Sequence, residues 1–237
     1  MTGGALILML LSLLPAGAAA QRQARLPEGD EILERMARGF EGVEDYTVTI
    51  DAVAELERLN VPPMTATMYY KRPDKVHFDS KGFALLPREG VALNPERLRA
   101  RFTAVAVAPE TLGGRSVLRL TLKPRNDRTG LRELFLDVDS SRWTPERLVS
   151  PQFDGRTMTA TLTHARVQGH WLPSELLVRF TSTRADTAAE PPAEGGPGAT
   201  RPAPPRRGTV TVRYSSYRLN TGLSDDLFTR PDPTERK

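Results

Sequence analysis

The chain contains no cysteine, and of its 237 residues 3 are histidine and 6% are aromatic. The missing cysteine removes disulfides, thiolate nucleophiles and cysteine-ligated metals, and with them the acylated first residue of a lipoprotein. Three histidines leave little material for an enzyme. No phosphate-binding glycine loop, G-x-S-x-G elbow or H-E-x-x-H helix occurs in the sequence. A long apolar run is also lacking: Leu6 to Leu14 is too short to span a bilayer. Lys and Arg are absent ahead of it, so only the terminal amine supplies positive charge. With Pro15 interrupting the run and Ala18-Ala19-Ala20 following, it reads as a secretory signal over residues 1–20, with a mature chain predicted to start at Gln21.

A hydrophobic content of 39% suffices for one core, and 20 prolines with 18 glycines point to many turns. The expectation is one mainly β domain over 21–237. Net charge is +4, carried by arginines scattered among acids. A nucleic-acid site needs a clustered basic stripe with interleaved aromatics, so nucleic acid is not an expected partner. No metal or cofactor is expected.

Asp30 is placed to cap an amphipathic helix in which Ile32, Leu33, Met36, Ala37 and Phe40 share a stripe. Tyr46 to Leu56 alternates, with Tyr46, Val48 and Ile50 on one face. Met64 to Phe78 continues the pattern as two strands around a corner, putting Met64, Met68, Tyr70 and Phe78 on the same face. Beyond Phe83 to Leu98, with a short helix from Pro95 capped by Asn94, strands resume at Phe102. Turns are expected at Gly113-Gly114, Asn126–Gly130, Asp154-Gly155 and Gln168-Gly169, and Pro173 is read as a strand start. Residues 184–207 are Pro, Gly and Ala without apolar periodicity, a disordered insertion within a hairpin. Val210, Val212 and Tyr214 restore the strand pattern, and Ser224 caps a final helical turn.

Pro73 lacks an N–H and biases Arg72 toward extended geometry, so Lys71-Arg72-Pro73-Asp74 is a tight corner holding a guanidinium at the sheet margin. That corner resembles the K-R-P corner of the outer-membrane lipoprotein carrier (LolA-like) family. The leucines of Leu118 to Leu122 running into Lys123-Pro124, and the closing Phe228 and Pro231, are similar to further segments of the family. The resemblance implies an open antiparallel half-barrel with an N-terminal amphipathic helix and short lid helices on its concave face. It also implies a monomeric periplasmic carrier that takes the acyl chains of lipoproteins or lipids from inner-membrane to outer-membrane partners. Tyr46, Val48, Ile50, Met64, Met68, Tyr70 and Phe78 would then line the acyl cavity, and Arg72 would anchor the lid. At 83–98 the chain departs from the family, which carries a further hairpin and a longer lid there.

Other readings stand beside this one. The same half-barrel serves periplasmic lipid or lipoprotein sensors that act through a protein partner. An envelope hydrolase would draw on His77, His164 or His170. Without such chemistry, His77 and Asp79 are a solvated pair on the outer face, and Asp137 and Asp139 mark a strand end. The methionines Met36, Met64 and Met68 fit core and pocket equally, since a half-barrel's concave face is both.

Overall fold

The computed structural model describes residues 25–57, 59–79, 94–126, 133–152, 155–182 and 207–229. The 1–20 leader, residues 83–93 of the lid stretch, 127–130, Asp154, nearly all of the 184–207 insertion and Pro231 lie outside the described residues.

Helix α1 (Gly29–Arg38) buries Ile32, Leu33 and Met36, the stripe expected from their spacing. It starts earlier than expected. Glu28 holds the cap position without a side-chain cap bond, and Asp30 and Glu31 fall in the first turn, where carboxylates complement the helix dipole. Gly29 accounts for the shift: a Cβ there would collide with Ala104, so only glycine lets the helix start this close to the sheet.

Strands β1 (Asp45–Leu56), β3 (Met64–Lys71) and β4 (Lys75–Asp79) form the expected meander, and β2 (Leu59–Asn60) folds back on β1. Helix α2 (Pro95–Arg101) leads into β5 (Phe102–Leu112), β6 (Arg115–Pro124), β7 (Leu134–Asp139), β8 (Thr144–Pro151), β9 (Arg156–Val167) and β10 (His170–Ser182). β11 (Gly208–Leu219) inserts between β10 and β1, and a short helix α3 (Asp226–Thr229) follows. The sheet runs β4-β3-β1-β11-β10-β9-β8-β7-β6-β5, antiparallel throughout, with β4 and β5 as its edges among the described residues. The mainly β, open half-barrel class is therefore the observed architecture.

Alternation decides the core. Val48, Ile50, Met68, Leu120, Leu136, Leu176 and Val212 join the α1 stripe in one buried cluster, so α1 covers the concave face. Asn94 caps α2 as expected, its side chain accepting from the Glu96 amide.

Three expectations change. His77 is buried rather than solvated, because the Tyr69 ring lies beside it at 6.0 Å on the convex face; Asp79 alone is exposed. Pro173 does not start a strand: β10 begins at His170, and Pro173 sits at a bulge, where a missing N–H costs no ladder bond. The sequence pattern of Arg147 to Phe153 reads as a strand, and β8 starts ahead of it, at Thr144, because Asp139 and Trp143 close a tight turn.

Candidate functional site

The concave face ends in aromatics. Tyr46 and Tyr70 are cross-strand partners whose rings stack at 4.8 Å, and Tyr217 meets Tyr46 edge-on at 5.6 Å. Burial pushes all three phenols up, Tyr70 to about 12, with the Glu96 charge adding to its shift and Arg72 opposing it. Two of the hydroxyls donate to backbone: Tyr70 to the Pro73 carbonyl at 3.3 Å, Tyr217 to the Pro173 carbonyl at 2.7 Å. Of the seven residues expected to line a cavity, Tyr46, Val48, Ile50, Met68, Tyr70 and Phe78 are buried, and Met64 is partly buried. They are packed core beneath α1 rather than the walls of an open space.

The corner and α2 form one unit. Arg72 donates from Nη2 to Glu96 Oε1 at 3.2 Å, and Asn94 Nδ2 donates to the Pro73 carbonyl at 2.8 Å. The Arg72–Pro73 peptide is cis. Arg72 thus binds the first turn of α2 through a carboxylate. From the other side, Lys71 donates to the Leu223 carbonyl at 2.7 Å and pairs with Asp225, which also meets Lys75 at 3.1 Å. Asp45 anchors that C-terminal strap by accepting from the Thr221 amide and hydroxyl and the Gly222 and Leu223 amides.

An open groove of about 700 Å³ runs beside α1, lined by Leu118, Ser140 and Trp143 together with Arg25, Glu31 and Arg99. That volume falls in the roughly 300–1,000 Å³ range of ligand sites. Arg35 of α1, which also lines the groove, lies over the Trp143 ring at 4.6 Å.

Under the C-terminal end of α1 lies a polar cluster. Glu146 accepts from Arg142 at 3.2 Å, Arg115 at 2.8 Å and Thr144 at 2.9 Å, and His164 Nδ1 stands 3.8 Å from the same carboxylate. Asp139 accepts from Ser141 and Arg142; burial raises its pKa, but these bonds outweigh it and hold the carboxyl at about 2. On the convex face, Asp137 is clamped by Arg119 and Arg147. Both aspartates at the expected strand end are therefore buried ion-pair partners.

The three histidines are dispersed over β4, β9 and β10, and among the described residues no set of three or more metal-ligating side chains converges. Sequence reasoning missed Glu96, Tyr217 and Trp143. Glu96 carried a signal, being the second helical residue after an asparagine cap. Tyr217 carried none: Ser216 has φ 56°, and the bulge between β1 and β11 turns an odd-numbered residue inward.

Among the described residues no helix is long and apolar enough to cross a membrane. No protein-family model matches the chain, and no curated protein matches it in sequence. Solved structures do match. A LolA superfamily protein from Nitrosomonas europaea aligns with a TM-score of 0.59 at 11% identity, covering 86% of this chain and 99% of that one. A DUF1329 family protein from Desulfovibrio piger gives 0.56 at 14% identity, over 84% of this chain and 94% of its own. A domain assigned to outer membrane lipoprotein sorting, from Vibrio parahaemolyticus, gives 0.54 at 14% identity with the same two coverages, 84% and 94%. Identities this low speak for architecture alone, and the architecture is clear: the chain has the LolA-like fold.

Proposed function

We propose that the protein is a periplasmic carrier that shelters acyl chains of lipoproteins or lipids on its concave face and passes them toward the outer membrane. The observation that carries this reading is an apolar concave face covered by a helix that is joined to the sheet only through its ends and side chains. Residues 1–20 support export, and the neighbour assigned to lipoprotein sorting supports the cargo class.

The energetics suit reversible loading. Each buried methylene contributes about 0.8 kcal/mol, so an acyl chain of about sixteen carbons gains on the order of 12 kcal/mol before ordering costs. That alone would hold cargo too tightly. To admit it, α1 must withdraw Ile32, Leu33 and Met36, which are fully buried. Re-exposing them costs roughly 6 kcal/mol in total. The lid therefore competes with cargo for one apolar surface, and the difference is small enough to reverse. With α1 and α2 lifted, Tyr46, Val48, Ile50, Met64, Met68, Tyr70 and Phe78 line the cavity, and the groove over Leu118 and Trp143 is the entrance. Arg72 holds α2 shut through Glu96. No bond is made or broken, and the protein works as a monomer with transient partners at each membrane.

The test is to mix the purified chain with a peptide bearing one sixteen-carbon acyl chain, and with the same peptide unacylated. Saturable binding of the acylated form alone, with faster exchange of α1 amides, is expected. Equal binding of both peptides would end the carrier reading.

A further inference from the structure

The polar cluster under α1 has one group out of balance. Among the described residues His164 Nδ1 is buried without a hydrogen-bond partner, and its side chain is 3% exposed. It faces a cavity of about 30 Å³ lined by Met36 of α1, by Gly39 and Phe40 just beyond the helix, by Leu162 of β9, by Trp143 and Trp171, and by Arg142 and Thr144. Glu146 stands 3.8 Å away but is already paired with Arg142 and Arg115 and accepts a further hydrogen bond from Thr144.

We propose that His164 is a proton-operated latch for α1: the helix end stays seated while the imidazole is neutral and lifts from the concave face when the imidazole takes a proton. The physical argument begins with what surrounds the ring. The charged groups that act on it are Glu146 on β8, Arg142 in the β7–β8 turn, Asp139 at the end of β7 and Arg115 on β6. Neither α1 nor β10 turns a titratable side chain into the cavity. A neutral ring fits this largely apolar space. An imidazolium fits it poorly, because Met36, Phe40, Leu162 and the two tryptophans make most of the wall and the acids nearest the ring are committed to arginines. The strands are fixed by their ladders, so the wall free to move is the end of α1.

The sign follows from the burial. Burial holds the His164 pKa at about 4, below its usual 6.5, with Arg142 adding to the effect and Glu146 and Asp139 opposing it. Once α1 lifts, water reaches the ring and the ordinary value returns. The seated form is thus fully favoured above pH 6.5 and loses ground as pH falls toward 4, by up to about 300-fold in the seated-to-lifted ratio. The latch gives the carrier reading a trigger and rests on it for its purpose. Its test needs no cargo, so the two can fail separately.

Both tryptophans of the chain, Trp143 and Trp171, line this cavity. Acrylamide quenching of their fluorescence, followed from pH 8 to pH 4.5 on the full chain, reports whether it opens. Quenching should rise severalfold as pH falls below 6.5, with far-UV circular dichroism unchanged. The rise should vanish in His164→Gln and persist in His77→Gln and His170→Gln. An identical rise in His164→Gln, or no rise in the parent protein, overturns the latch. If His164→Gln does not fold, NMR of the parent imidazoles decides. A His164 titration that tracks the quenching supports the latch, and one that runs its course without any change in quenching refutes it.

Discussion

The guanidinium of Arg72 reaches the carboxylate of Glu96 at 3.2 Å, tying the proline corner between β3 and β4 to the first turn of α2. The side chains of Arg72 and Glu96 are 30% and 28% exposed. Water therefore screens the pair, which contributes on the order of 1 kcal/mol. A contact of that size can hold α2 to the corner without locking it. Asn94 reinforces it by capping α2 through one side-chain atom and holding the Pro73 carbonyl through another.

Arg72→Leu should leave the fold intact and load α2 less firmly against the corner. Amide exchange in Pro95–Arg101 should quicken about fivefold, as expected for the loss of about 1 kcal/mol. Acyl cargo should then survive purification and pass poorly to acceptor vesicles, because the empty closed state no longer competes as well. Glu96→Gln should give the same phenotype, and the double variant should be no worse than either alone. Additive effects of the two substitutions would show that the ion pair is not the latch.

The alternating strands were legible because period-two burial writes itself into the sequence: Tyr46, Val48 and Ile50, or Leu118, Leu120 and Leu122, could face only one way. What stayed hidden was whatever depends on bulges and on long-range charge. Tyr217 turns inward only because of the irregularity at Ser216. Asp137 looked like a strand-end acid because its arginines lie 18 residues before it and 10 after it in the chain. His77 looked solvated because alternation cannot show that a neighbouring tyrosine covers the convex face. The Arg72 corner was visible as a local motif, whereas its partner Glu96 lies 24 residues away.

Asp137→Asn should be among the most damaging single changes on the convex face. Its side chain is 1% exposed and accepts from Arg119 Nε at 2.7 Å and Arg147 Nε at 2.6 Å. Removing its charge takes the close carboxylate from two partly buried guanidinium groups and leaves Arg119 with the more exposed Glu110, at a cost of about 3–5 kcal/mol. Urea unfolding should show the loss. A triple replacement of Asp137, Arg119 and Arg147 by leucine should recover most of it, since no buried charge then remains unpaired.

Gly208→Ala should destabilise the junction where β11 enters the sheet. Gly208 has φ 138°, and a Cβ there would lie 2.8 Å from the Leu56 Cα. Neither β1 nor β11 can retreat, because Leu56 and Gly208 are ladder partners. Backbone strain of this kind costs about 1–3 kcal/mol. A melting temperature within a degree of the parent would mean that the start of β11 is free to shift.

Acid stability should fall in two limbs, each assignable to named groups. The lower limb belongs to Asp45 and Asp139. Burial raises the Asp45 pKa, but the bonds from Thr221, Leu223 and Gly222 outweigh it and leave the carboxyl below its ordinary 3.8. Asp139 sits at about 2 for a similar reason, burial being overcome by Ser141 and Arg142. A depressed carboxyl stabilises the fold fully above its unfolded value and loses that contribution as pH drops through its folded value. For Asp139 the window between 3.8 and about 2 corresponds to about 2 kcal/mol. The upper limb, between pH 6.5 and 4, belongs to His164 and has the same direction: the unfolded chain binds a proton that the folded ring refuses. Unfolding free energy measured with urea from pH 8 to pH 2 should therefore decline in both ranges. Asp139→Asn should lower the plateau and flatten the fall below pH 3.8, and Asp45→Asn should do the same while freeing the 220–225 strap to proteolysis. His164→Gln should flatten only the upper limb. If Asp139→Asn instead left the slope below pH 3.8 as steep as in the parent, the buried ion pairs at the end of β7 would not be what acid attacks.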